Sequence, residues 1–114
     1  MPSFDFNRIA DEMEMTREDI LHLMSLYGPE LRRDFEALNT ALGQMEWRQL
    51  KEVLHKMKGD AANLCLCPLA ARFKEMEQAA QARDASALAA GLTEALQLSG
   101  TLWEAFRDYE QNCK

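Results

Sequence analysis

The sequence predicts an all-α protein: an antiparallel four-helix bundle (up-down-up-down) with a short extra N-terminal helix. Three observations predict it. Apolar residues recur in steps of four and three along most of the chain, the spacing that lines one face of a helix. Glycine (5) and proline (3) are scarce in 114 residues, too few to punctuate the turns of a β-sandwich. No segment sustains period-two alternation, so no sheet is expected.

Phe4 to Met13 reads as the short first helix, with Phe4, Phe6, Ile9, Ala10 and Met13 on one side. Thr16 then suits an N-cap. Asp19, three residues on, can return a bond and favours the positive end of the helix dipole. From there Ile20, Met24, Tyr27, Leu31, Phe35, Leu38 and Leu42 form one stripe. Gly28-Pro29 interrupts the stripe without changing its phase, which predicts a kinked helix rather than two unrelated ones. A turn near Gly43 to Glu46 leads to a helix from about Trp47 to Cys65, with Leu50, Leu54, Met57, Ala61 and Leu64 as its core face. Pro68 is expected to end that helix and to open the next at its first turn. Leu69, Phe73, Met76 and Ala80 carry the stripe there. Asp84 or Ser86 can cap the last helix, where Leu88, Leu92, Ala95, Ser99, Leu102, Phe106 and Tyr109 keep the spacing. Residues 1–114 read as one domain, and every stripe can be buried inside one bundle, so a monomer is expected.

Charge and cysteine usage narrow the function classes. A net charge of -6 with no basic run argues against nucleic acid and against an anionic membrane surface. The longest nearly apolar stretch, Leu64 to Ala71, is broken by Pro68 and is far too short to span a bilayer. The chain starts Met-Pro-Ser-Phe-Asp, with no basic segment before an apolar run, so no signal peptide is expected. Cys65, Cys67 and Cys113 are odd in number and suggest no disulfide framework, which fits a reducing cytoplasm.

The chemistry is concentrated in His55-Lys56-Met57-Lys58-Gly59-Asp60-Ala61-Ala62-Asn63-Leu64. On a helical wheel His55 points about 140° from the core direction and Gly59 about 180°. Ala62 and Lys51 lie at about 120° and 100° on the side of His55, and Lys58 flanks it at about 80°. The imidazole is therefore outside, with a glycine one turn on and an alanine two turns on. A glycine inside a helix costs about 1 kcal/mol relative to alanine. The stripe continues past it to Leu64, so a C-cap does not explain it, and close approach of another surface does. An imidazole is a good nucleophile near neutral pH. A lysine one turn away can neutralise part of an added phosphoryl charge and favours the neutral, nucleophilic ring.

His55-x-x-Lys58-Gly59-Asp60-Ala61, in the second long helix of an acidic bundle, resembles the signature of histidine-containing phosphotransfer (HPt) domains. The resemblance covers most of the chain, and Asn63-Leu64 and the Leu69, Phe73, Met76-Glu77 pattern also fit. It implies a phosphorelay carrier in two-component signal transduction. His55 would be phosphorylated, Lys58 would lie beside the phosphoryl group, and Gly59 would let a receiver approach. The implied partners are response-regulator receiver domains and a sensor or hybrid histidine kinase. Two positions depart from the pattern: Cys65 stands where many members have glycine, and Asp60 where a small residue is common. By the wheel Asp60 points away from His55, and Cys65 alters the turn rather than the site.

The five glycines, at 28, 43, 59, 91 and 100, are too scattered for a Walker or kinase-type loop. The chain is thus expected to be a covalent carrier without its own ATP site, not an enzyme with turnover. By the resemblance it would need no cofactor of its own, and the divalent metal and the phospho-acceptor aspartate would belong to the partner receiver. Arg48, Lys51, Glu52, Lys58, Gly59 and Ala62 are expected in the docking patch around His55. The alternative is a helical adaptor that docks a receiver or other partner without phosphotransfer. A zinc site from Cys65-x-Cys67 with His55 is disfavoured, because nearly three turns separate His55 from Cys65 and only Cys113 could fold back to help. The cysteines read instead as a small apolar pair at a helix end. His22 lacks the lysine-glycine context, and Trp47 and Trp103 read as packing residues. The initiating methionine and the near-complete fold suggest a free-standing protein.

Overall fold

The computed structural model describes residues 4–112, and among them there are five helices and no strand. Cys113 lies outside the described residues. The first helix, α1, runs from Phe6 to Met13 and so starts two residues later than the apolar pattern suggests. Asp5 is the reason: its carboxylate accepts the N–H groups of Asn7 and Arg8 at 3.1 and 3.2 Å and fixes the start. Phe4 precedes the helix but is still buried.

The second helix, α2, spans Arg17–Gly43. Thr16 accepts the Asp19 N–H at 3.1 Å, and the Asp19 carboxylate accepts the Thr16 N–H at 3.3 Å, a complete capping box. Gly28-Pro29 lies inside this one continuous helix. Gly28 has a packing reason, since a Cβ there would stand 3.3 Å from the Trp103 ring. Ile20, Met24, Tyr27, Leu31 and Leu38 are buried as the stripe predicts, whereas Phe35 and Leu42 are half-buried and Ala41 takes a core place.

The remaining helices are α3 (Trp47–Asn63), α4 (Cys67–Gln81) and α5 (Ala85–Asn112). The expected core faces of α4 and α5 are buried throughout. Asp84, rather than Ser86, supplies the side-chain cap of α5, accepting the Ala87 N–H at 3.0 Å. Pro68 lies in the first turn of α4 as expected, but it does not end α3. That helix stops at Asn63, short of the expected Cys65, because the chain turns left-handed at Cys65 (φ 57°). The Leu66 N–H then reaches back to the Ala61 carbonyl at 2.9 Å and the Cys65 N–H to that of Ala62 at 3.1 Å. This is the Schellman pattern, which normally takes glycine at the left-handed position. Glu14, Met45 and Arg83 turn the chain in the same way after α1, α2 and α4.

Packing follows the chain: α2 contacts α3, α3 contacts α4, and α4 contacts α5. Both α1 and α2 also contact α5. The fully buried centre includes Leu54, Met57, Phe73, Met76 and Leu102. Phe6 meets Phe106 edge-on at 5.3 Å and holds α1 on α5. Gly91 lets α5 close on α4, because a Cβ there would lie 2.7 Å from Met76 Cγ. Among the described residues, no helix is long and apolar enough to cross a membrane.

Candidate functional site

Two core positions of α3, Leu54 and Met57, turn their neighbours to either side of the His55 surface. His55 follows Leu54 and its side chain is 73% exposed. Lys58 follows Met57 and is half-buried at the seam with α4. Across that seam, Glu77 follows the buried Met76 of α4 and meets both of them.

One carboxylate thus holds the two groups. Glu77 Oε2 lies 3.1 Å from His55 Nδ1, and Lys58 Nζ donates to Glu77 Oε1 at 2.7 Å. The hydrogen bond from Lys58, above all, keeps the Glu77 carboxyl below its ordinary range, and that from His55 adds to the effect. An ionised carboxylate only accepts, so this contact selects the tautomer with the proton on Nδ1. The lone pair is then on Nε2, the ring nitrogen that Glu77 does not engage. An exposed imidazole with a fixed tautomer and an ammonium group one turn away can attack an electrophile brought to it from outside.

Gly59 leaves open the surface one turn beyond His55. An added Cβ would meet nothing within 4 Å, so no packing inside the chain requires glycine there. Ala62, Lys51, Arg48 and Glu52 are all exposed around this face, and Arg48 and Glu52 pair at 3.4 Å. Every residue expected around His55 therefore lies on α3, while Glu77 comes from a different helix and was not singled out for a role in the sequence.

A second charged cluster lies on the α2 side of α3. Lys56 Nζ reaches Glu30 at 2.7 Å, Asp34 at 2.8 Å and Asp60 at 3.1 Å. Burial disfavours the Lys56 charge, but hydrogen bonds from Asp34, Glu30 and Asp60 outweigh that and raise its pKa. The nearby Tyr27 phenol is pushed up chiefly by burial, then by the charges of Asp60 and Asp34. Asp60 is thus held towards α2, away from the Glu77 side of His55. These acids, Glu30, Asp34 and Asp60, are the only metal-sized cluster among the described residues, and the Lys56 ammonium group bonds to all of them. Neither Cys65 nor Cys67 joins His55 in such a cluster. Cys65 is half-buried against the core and Cys67 is exposed. His22 is exposed on α2, and both Trp47 and Trp103 are half-buried packing residues.

The family model described as Hpt domain matches residues 22–107, which include α3, α4 and the whole His55, Lys58 and Glu77 constellation. No curated protein and no solved structure matches the chain.

Proposed function

The chain belongs to the Hpt domain family, which implies histidine phosphotransfer in a phosphorelay, and on that premise we propose that His55 accepts a phosphoryl group from a receiver-domain aspartate and passes it to another receiver domain. The observation that carries this reading is the His55 side chain, 73% exposed, with Nδ1 engaged by Glu77 and Nε2 free to attack. Nε2 displaces the aspartyl oxygen from phosphorus in line: the N–P bond forms, the O–P bond breaks, and the aspartate leaves as a carboxylate. The ring becomes cationic and keeps its proton on Nδ1, which donates it in a hydrogen bond to the Glu77 carboxylate, and that negative charge stabilises the cation. Lys58, one turn along α3 and bonded to the same carboxylate, supplies the neighbouring positive charge for the phosphoryl group. The return step reverses these changes on a second receiver.

The chain contributes a nucleophile, its orientation and a neighbouring cation; positioning and charge stabilisation dominate such transfers. The metal that neutralises the acyl phosphate belongs to the receiver. Gly59 and Ala62 form the clearing into which the receiver settles, and Arg48, Lys51 and Glu52 border it. The reading also carries an antiparallel up-down-up-down arrangement of α2 to α5, with α1 as the extra helix. Packing of each of these helices on the next supports it.

The test is phosphotransfer from receiver domains of the same source, each loaded with labelled phosphoryl groups. Acid-labile label on the wild type and none on His55→Gln is expected, with both proteins shown to be folded. No label from any donor would overturn the proposal in favour of a docking adaptor.

A further inference from the structure

Four cations of α3 lie within two turns of His55: Arg48, Lys51, Lys56 and Lys58. Three of them are already engaged. Lys56 Nζ bonds to Glu30, Asp34 and Asp60 on the α2 side. Lys58 Nζ donates to Glu77 at 2.7 Å, and Arg48 pairs with Glu52 at 3.4 Å. Lys51 is exposed and has neither a hydrogen bond nor an ion pair among the described residues. It stands four residues before His55, the spacing that sets two side chains one above the other on a helix.

A phosphoryl group on Nε2 changes the charge balance of this surface. It carries about two negative charges. The cationic ring and Lys58 offset Glu77 and one of these, which leaves one negative charge unmatched. Lys58 is poorly placed to meet it directly. Its bond to Glu77 helps keep that carboxylate ionised and therefore on His55 Nδ1, so leaving Glu77 would loosen the ring. Glu52 adds no net charge, because Arg48 matches it. Lys51 is thus the unengaged cation on the His55 helix.

Building on the phosphotransfer reading, we infer that Lys51 is the cation that binds the phosphoryl oxygens of phosphorylated His55, while Lys58 stays on Glu77 and serves the ring. The two lysines bracket His55 along α3, Lys51 one turn before it and Lys58 one turn after. Side chains on a helix lean towards its N-terminus, which carries the His55 ring over the turn that holds Lys51. A flexible four-carbon stem lets the Lys51 ammonium group swing onto an oxygen while the backbone stays still. The loaded carrier gains lifetime from this contact. Hydrolysis adds water oxygen to phosphorus and breaks the N–P bond, and the ring nitrogen leaves with its electron pair. Acid speeds that loss, and a cation at the phosphoryl oxygens opposes their protonation.

The test uses the whole protein carrying His22→Gln, which leaves His55 as its single histidine. Phosphoramidate loads it without a receiver: Nε2 attacks phosphorus, the N–P bond forms and ammonia leaves. The phosphorus resonance of the loaded protein is followed against pH, and the ring nitrogen shifts of the unloaded protein report the tautomer. Lys51→Gln is expected to raise the midpoint of the phosphorus titration by about half a pH unit, the effect of losing one nearby charge in a hydrated setting. It should also shorten the lifetime of the label. Lys51→Arg should restore both. The tautomer should be unchanged in Lys51→Gln and altered in Lys58→Gln, which acts through Glu77. Lys74→Gln removes an exposed and equally unpaired lysine from α4 and should move neither readout. An unmoved phosphorus titration in Lys51→Gln, a tautomer change in that variant, or an equal shift in Lys74→Gln would overturn the inference. A larger phosphorus shift in Lys58→Gln would return the contact to Lys58 and also overturn it. Failure of phosphoramidate to load His55 would remove the nucleophile and both readings together. A protein that loads but takes nothing from any receiver would overturn the relay alone.

Discussion

Replacing Gly59 with alanine should make the protein more stable and a worse phosphotransfer partner. The substitution adds one Cβ to the interior of α3, where nothing lies within 4 Å to resist it. Glycine there costs about 1 kcal/mol of helix stability relative to alanine, mostly as backbone entropy lost on folding. Gly59→Ala is therefore expected to raise unfolding free energy by about 1 kcal/mol, read as a higher urea midpoint at unchanged slope. For a domain of this size the melting temperature should rise by about 3–6 °C. The same methyl group stands in the clearing beside His55, so the rate of transfer from a phosphorylated receiver should fall. A loss of stability would refute the view that α3 tolerates a side chain there. A gain in stability with an unchanged transfer rate would refute the view that the glycine serves a partner's approach.

Cys65→Gly should stabilise the protein by about 1–2 kcal/mol, because it removes a side chain from a left-handed turn; urea unfolding would measure this, and a neutral result would assign the turn's stability to Cys65 packing. Gly91→Ala should act in the opposite sense and cost about 1–3 kcal/mol, since its Cβ would lie 2.7 Å from the buried Met76 Cγ; an unchanged melting temperature would mean that the α4–α5 contact yields freely. Glu77 titrates below its ordinary 4.5 in the folded protein, chiefly through the Lys58 hydrogen bond. Its ionised form thus contributes stability above that pH, and the contribution is lost as pH falls through the lowered folded value. Glu77→Gln should flatten this part of the acid-unfolding curve, which a stability profile below pH 4.5 would reveal. The same variant should weaken the preference for the Nδ1-protonated tautomer of His55, measurable from its ring nitrogen shifts.

The helices and most of the surface around His55 were legible in the spacing of residues along the chain. Periodicity suffices for this because burial is a property of a whole helix face: once Leu50, Leu54, Met57 and Ala61 face inward, His55 and Gly59 must face outward. Capping was legible for the same local reason, since the Thr16–Asp19 box closes within one turn. The end of α3 was harder to read because a left-handed residue is usually glycine, and cysteine stands at 65. The rest depends on how the helices pack, which no single helix can specify. Glu77 looks like any exposed acid beside a core methionine until the axial register of α4 on α3 brings its carboxylate to both His55 and Lys58. The Lys56 cluster likewise needed the approach of α2. Helix register and separation are set by how side chains interlock across the core. Those contacts join residues about twenty or more positions apart, beyond the reach of a periodic pattern.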